Sequence, residues 1–291
     1  MASACLGWRW KNLPHGVSLG ILLVNLATAT AVVGVVALGR TDLELPVLVG
    51  ARQLPVARLG VDALSAAMIL LSSFLCFVSS ACFGPFGMLR DGSRYPTTVL
   101  LLAAGLAGVF LARDFFTLII FWELMVVSAY LCVMDPGNPS SLSAAKKYFV
   151  ASQIAVLLLI SSAAILYERT GSIEMPGFLH SGSFPFPFLL LAFVGFAVEV
   201  ALVPVHIWLP DAHSESFPPV SALLSGVVVG AGIYGMVRVL GLPRAAPAAF
   251  GASPASGLLA LGAATAVGGG VMAAVQVDAK RLVAMSTISH M

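Results

Sequence analysis

The stretch "EVALVPVHIWLPDAHSESFPPVSALLSG" (residues 199–226) decides how this chain is read. It begins inside the apolar run "FLLLAFVGFAVEVALVPVHIWL" (188–209), which is long enough to cross a bilayer. Yet it carries a carboxylate at Glu199, prolines at 204 and 210, histidines at 206 and 213, and an aspartate at 211. A charged side chain at the bilayer centre costs on the order of 3 kcal/mol or more. Proline has no N–H, so within a helix Pro204 leaves the carbonyl of Val200 without its usual partner, and Pro210 does the same to His206. Such carbonyls are tolerated at membrane depth where they line a wet cavity or face other protein. The stretch therefore predicts a membrane helix broken near its polar end, with proton-active side chains beside the break. His206 follows Glu199 by seven residues, which in a regular helix would put both on one face. Histidine also titrates near neutral pH.

Composition supplies the membrane setting. Of 291 residues, 59% are hydrophobic and 10% charged, and the mean hydropathy is +1.00. Soluble domains carry roughly 25% charged residues, so the reading is an all-α integral membrane protein. A net charge of +2 gives no case for nucleic acid as a partner; the lipid bilayer is the partner the composition implies. With roughly 20 apolar residues needed per span, the sequence predicts about eight transmembrane helices, at about 16–39, 63–84, 95–112, 115–134, 144–167, 188–209, 218–240 and 256–277. The first follows Arg9 and Lys11, but its apolar part exceeds the roughly 7–15 residues of a signal-peptide core, so it reads as a retained helix. Residues 1–60 form an N-terminal helix and linker, with "QLPVARLG" (53–60) as linker only. The Gly/Pro-rich "MDPGNPSSLS" (134–143) and "GLPRAAPAAFGASPASG" (241–257) read as connectors between spans. Of the cysteines, Cys5, Cys76, Cys82 and Cys132, none shows metal-ligand spacing, and the last three read as small buried hydrophobes. An even number of spans puts both ends on one side, which gathers eight of the fifteen Lys and Arg and leans toward the cytoplasm.

Two spans hold a carboxylate near or beyond their middle: Glu123 in "FFTLIIFWELMVVSAYLCVM" (115–134), and Glu199. Ionisable groups inside a membrane mark ion or proton routes by default, against the plainer reading of a carboxyl satisfied within a packed bundle. Lys146 and Lys147 head the fifth span, where snorkelling to the interface is an equal reading. Asp211 and His213 lie just past Pro210, where proton exit and loop contacts are both open. In "SGVVVGAGIYG" (225–235), Gly226, Gly230 and Gly232 read as close-packing positions.

Five blocks carry a family resemblance: "FWELMVVSAYL" (121–131), "AAKKYF" (144–149), "PVHIWLPDAHSESFPPVSALLSG" (204–226), "GIYGMVRVL" (232–240) and "QVDAKRLVAMSTISHM" (276–291), with "VDALSAAM" (61–68) a fainter match. In order and spacing they resemble the antiporter-like membrane subunits of respiratory complex I, energy-converting hydrogenases and multisubunit cation/proton antiporters. The resemblance implies inverted five-helix repeats, each with a broken helix. A first repeat would cover about 95–240, and an incomplete second would start at about 256, within an antiporter-like domain of 61–291. The resemblance also implies that this chain is the N-terminal half of a longer protein. It places Glu123, Glu199, Lys147 and His206 on a proton relay, Pro204 and Pro210 at the helix break, and Asp211, His213 and His290 at a proton exit or loop. It implies no cofactor, no metal and no catalytic redox centre in this chain. Its partners would be other membrane and peripheral subunits, with quinone held by a partner subunit, in a bacterial or archaeal plasma membrane.

Two positions depart from the family pattern. Where the resemblance expects a lysine on the broken helix, the chain has Glu199, and where it expects one on the next helix, the chain has Gly230. Two carboxyls at close range titrate as a coupled pair, in place of a Glu–Lys ion pair. Proton translocation, Na⁺/H⁺ antiport and a non-pumping membrane scaffold all stand open on the sequence.

Overall fold

A computed structural model describes residues 14–39, 43–47, 57–83, 94–175, 185–240 and 254–291. Within them the chain runs α1 His15–Ala37, β1 Leu43–Val47, β2 Ala57–Val61, α2 Ala63–Ala81, α3 Tyr95–Leu111, α4 Phe115–Val133, α5 Pro139–Thr170, α6 Phe186–Val200, α7 Leu209–Glu215, α8 Pro218–Leu223, a π-helical turn Leu224–Val228, α9 Val229–Leu240, α10 Pro254–Ala274 and α11 Ala279–His290. Among the described residues, α1, α2, α4, α5 and the continuous α8–α9 helix are long and apolar enough to cross a membrane, while α3, α6 and residues Leu259–Ala274 are shorter apolar helices. This is the all-helical membrane bundle that the composition implies. Cys5, Arg9, Lys11, residues 53–56 of the expected linker and 241–253 of the later connector lie outside the described residues.

Helix starts follow from local chemistry. Asp62 accepts from the Ser65 N–H at 2.9 Å to begin α2, and Asp114 accepts from the Thr117 N–H at 2.8 Å to begin α4. Asn138 accepts from the Ser140 and Ser141 N–H groups, with Pro139 at the first helical position, where a missing N–H costs nothing. That cap starts α5 ahead of the expected 144 and carries it through the second half of "MDPGNPSSLS". Gly171, at φ +68°, ends it.

One expectation needs correction. The run 53–60 is more than a linker, because Ala57–Val61 forms β2 and pairs antiparallel with β1, Leu45 opposite Leu59. Both strands alternate, Leu43, Leu45 and Val47 against Glu44 and Pro46, and Ala57, Leu59 and Val61 against Arg58 and Gly60, but five residues each with a proline or glycine among them make a weak signal. The hairpin is fastened to the α3–α4 turn: Arg113 N–H donates to the Arg58 carbonyl at 3.0 Å, and Arg58 N–H to Asp114 Oδ2 at 2.8 Å.

Five helices close a ring, α3 on α4, α4 on α5, α5 on α6, α6 on α9 and α9 back on α3. Outside it, α2 packs on α3 and α8, α1 packs on α2, and α10 pairs with α11, which also touches α7. The ring is filled by aromatic side chains, among them Trp122 against Phe196 at 5.4 Å between centroids. At one membrane end, Arg238 of α9 pairs with Asp62 and donates to Ser65 Oγ at 2.9 Å, and Tyr234 OH donates to the Phe110 carbonyl at 2.6 Å. At the other end, Ser79 Oγ donates to the Pro219 carbonyl at 2.9 Å.

Gly232 lets α9 reach the end of α6, since a Cβ there would lie 2.7 Å from Val200 Cγ2 and 3.2 Å from the Val200 nitrogen. Gly226 is likewise filled by Leu75. Gly230 is different: its nearest neighbour would be Met68 Cε, at an ordinary 3.7 Å. Gly230 is therefore not one of the close-packing positions expected of it.

Two stability predictions follow from this packing. Gly232→Val should cost roughly 1–3 kcal/mol by overpacking, read as a lower thermal midpoint in detergent, whereas Gly230→Ala should leave the midpoint close to the parent's. Asp114→Ala removes the α4 cap and the acceptor of the Arg58 N–H together, and should cost about 1–3 kcal/mol in the same assay.

Candidate functional site

The break in the long apolar run falls earlier than its prolines. The α6 helix stops at Val200 and α7 starts at Leu209, so the span 188–209 is broken, as expected of it. Ala201 adopts the left-handed conformation at φ +58°. Its N–H bonds the Val198 carbonyl at 3.2 Å, and the Leu202 N–H bonds the Ala197 carbonyl at 3.0 Å. These are the two bonds of a Schellman termination, with alanine where glycine is usual. The reason lies downstream: Pro204, joined to Val203 by a cis peptide bond, cannot continue a helix. Trp208 then reaches back across the break, its Nε1–H donating to the Val198 carbonyl at 2.8 Å. Pro210 does not leave the His206 carbonyl bare, because Leu209 N–H donates to it at 3.1 Å.

Glu199 sits in the last turn of α6, with only 1% of its surface exposed. Among the described residues it has no ion pair; α5 supplies its donors instead. Tyr148 OH donates to Oε1 at 3.3 Å and Ser152 Oγ to Oε2 at 3.0 Å. Hydroxyls both donate and accept, so the same two groups can hold a carboxylate or, with one of them turned round, a neutral acid. Glu123, half-buried on α4, is bound by the next residue of α5: Gln153 Nε2 donates to its Oε2 at 3.0 Å. The two carboxyls thus have separate partners at consecutive positions of one helix.

Cations gather one turn further along α5. Lys147 Nζ lies 2.5 Å from Asp211 Oδ2, and Arg281 Nη2 of α11 lies 3.5 Å from Asp211 Oδ1. The Lys147 side chain is 57% exposed. Lys280 donates to the carbonyls of Ser214 and Ser216 at 3.2 and 3.1 Å, holding the C-terminal end of α7, where cations suit the helix dipole. Between this charged mouth and Glu199 stand two buried rings, Tyr148 and Trp208, with centroids 5.0 Å apart.

Of the residues singled out in the sequence, Glu123, Glu199, Lys147 and Asp211 are drawn together along α5. His206 is not on a stripe with Glu199, because the helix that would carry that stripe ends at Val200. It lies half-buried in the break, its Nδ1 without a hydrogen-bond partner. His213 is buried and ties α7 to α8 through Nδ1 and Ser221 Oγ at 2.7 Å. His290 is exposed in the last turn of α11. Sequence reasoning passed over Tyr148, Ser152, Gln153 and Trp208. The signal for the first three was polar groups at 148, 152 and 153 among the apolar residues of the helix middle, Tyr148 and Ser152 one turn apart on one face and Gln153 on the next.

Known proteins are similar to this chain in sequence and in fold. A family model described as NADH:quinone oxidoreductase/Mrp antiporter, TM, matches residues 112–291. NAD(P)H-quinone oxidoreductase chain 4 1 of Synechococcus sp. (strain JA-3-3Ab) is 33% identical over 240 residues, 80% of this chain and 44% of that protein. NADH-quinone oxidoreductase subunit M of Pseudomonas aeruginosa is 33% identical over 248 residues, 80% of this chain and 48% of that one. The chain therefore spans about half the length of the curated relatives it matches. Among solved structures, a chain of the Mrp complex from Dietzia sp. DQ12-45-1b superposes with a TM-score of 0.83 at 25% identity, covering 94% of this chain and 51% of that one. A chain of the membrane-bound sulfane sulfur reductase, an archaeal respiratory membrane complex, gives 0.84 at 25% identity, covering 94% and 57%. With more than half of its length matched by that model, the chain belongs to the NADH:quinone oxidoreductase/Mrp antiporter membrane-subunit family.

Proposed function

We propose that this chain is a proton-translocating part of a multisubunit membrane complex, either redox-driven or of the cation/proton antiporter kind. The supporting observation is Glu199: a carboxyl almost fully removed from solvent, at the end of a broken membrane helix, held by hydroxyls rather than by a cation. A carboxyl so placed marks an ion or proton route, and its two hydroxyl partners can accommodate it in either protonation state. Glu123, bound one residue along α5, and Lys147 with Asp211 at the exposed end, extend a polar line toward the membrane surface. Half-buried His206 lies on the segment that joins α6 to α7. In this reading the partners are other membrane and peripheral subunits, quinone is bound elsewhere in the assembly, and the complex sits in a bacterial or archaeal plasma membrane. The first repeat spans about 95–240, matching the ring of α3, α4, α5, α6 and α9. In this reading oxidoreductase chemistry belongs to the partner subunits.

Gly230 favours a second reading, a membrane scaffold that anchors a catalytic partner without pumping. The family resemblance expects a lysine there, and its absence interrupts a lateral line of proton stops.

The test is proton flux in vesicles reconstituted with the whole complex. Glu199→Gln and Glu123→Gln should each lower turnover-driven flux by at least about tenfold, in line with the loss of a positioned proton-transfer group. If both variants pump like the parent, the scaffold reading stands. Because a Cβ at 230 would meet only Met68 Cε, at an ordinary 3.7 Å, Gly230→Lys should fold and raise flux. The same lysine should change nothing if the chain is a scaffold.

A further inference from the structure

The Lys147–Asp211 pair is open to solvent and Glu199 is not, so a proton moving between them must pass the wall that separates them. That wall has two parts. Tyr148 follows Lys147 directly on α5, has a fully buried side chain, and ends in a hydroxyl 3.3 Å from Glu199 Oε1. Trp208 lies three residues before Asp211, is 1% exposed, and covers the Tyr148 ring at a centroid distance of 5.0 Å, tilted by 55°. Its indole is pinned by the 2.8 Å bond from Nε1 to the Val198 carbonyl, one residue before Glu199. Ser152, the second donor to Glu199, lies a full turn deeper on α5 and does not border the mouth.

We propose that Tyr148 is the gate through which a proton reaches Glu199 from the Lys147–Asp211 side, and that Trp208 is the plug that closes the way around it. The inference rests on Glu199 being a proton carrier. In the transfer, the Tyr148 hydroxyl gives its proton to Glu199 Oε1 while its oxygen takes one from a hydronium ion arriving from the mouth, which leaves as water. One O–H bond breaks at each donor and one forms at each acceptor, and no electrons change hands. Tyrosine suits this task because its hydroxyl donates and accepts at once, while its ring fills the passage and keeps bulk water from the acid. The indole bond to Val198 makes the plug part of the helix break: displacing Trp208 also removes one of the two bonds that the Val198 carbonyl accepts, in the turn that carries Glu199.

The test uses the whole complex in proteoliposomes, with two measurements: turnover-driven proton uptake, and passive proton leak under an imposed gradient without turnover. Tyr148→Phe keeps the ring and its packing on Trp208 but removes the hydroxyl. It should cut driven uptake by at least about tenfold while leaving leak and thermal midpoint at the parent's values. Trp208→Ala should raise leak several-fold, and combining it with Glu199→Gln should remove that added leak. Two results would overturn the gate: parent-like uptake in Tyr148→Phe while Glu199→Gln is inactive, or added leak in Trp208→Ala that persists in the double variant. Parent-like uptake in Glu199→Gln would instead overturn the proton-carrier reading on which the gate depends. A purely structural role for Tyr148 predicts a lowered thermal midpoint, and that outcome also rejects the gate.

Discussion

A carboxyl that water cannot reach must find its hydrogen bonds inside the protein, and in a bilayer the penalty for failing is severe. Glu199 meets that requirement without a counter-cation, through Tyr148 and Ser152. Much of the surrounding architecture is shaped by it. The α5 helix has to pass the end of α6 with its hydroxyl face inward, and α6 has to end where it does so that the carboxyl points at that face. Gly232 lets α9 close the ring at the same level. A cation in place of Glu199 would need another set of neighbours, since two hydroxyls can accept from it but bring no negative charge to offset it.

The α5 helix connects features that the chain order keeps far apart. Over seven residues, Lys147, Tyr148, Ser152 and Gln153 meet Asp211, Glu199 and Glu123 from three other helices. Consecutive side chains on a helix point about 100° apart, so Ser152 and Gln153 can serve two carboxyls on different neighbours without bringing those carboxyls into direct contact. Each acid therefore keeps its own hydrogen-bond environment, unlike the Glu–Lys pair that the family pattern implies.

How much of this was legible in the sequence depends on the kind of signal involved. Membrane spans are written in composition, and the bundle followed from eight apolar runs. Glu123, Glu199, Lys147 and Asp211 stood out because charges in or beside such runs are rare. The position of the break was harder to read. Prolines at 204 and 210 announce it, but the helix ends earlier, at Val200, and the left-handed residue that terminates it is an alanine, which carries no glycine signature. The two-turn spacing of Glu199 and His206 lost its meaning with that helix end. Tyr148, Ser152, Gln153 and Trp208 escaped notice because hydroxyl, amide and indole groups are common in membrane helices, and only packing shows which of them meet a carboxyl. The β1–β2 hairpin escaped notice for another reason: each strand alternates over only five residues, with Pro46 or Gly60 among them, too short a signal to stand out beside the long apolar runs.

The alanine at 201 carries a mechanical meaning. Glycine there would move easily between left- and right-handed basins and act as a swivel. Alanine occupies the left-handed basin at a cost of about 1–2 kcal/mol and has few other places to go while both Schellman bonds and the Trp208 tie remain made. The corner between the two halves of the broken helix is thus a rigid elbow. Rewinding α6 through the break would have to undo both Schellman bonds and the Trp208 tie together. Changes of state at this site then fall to parts that turn without bending the backbone: hydroxyl rotors, one aromatic ring, and the protons themselves.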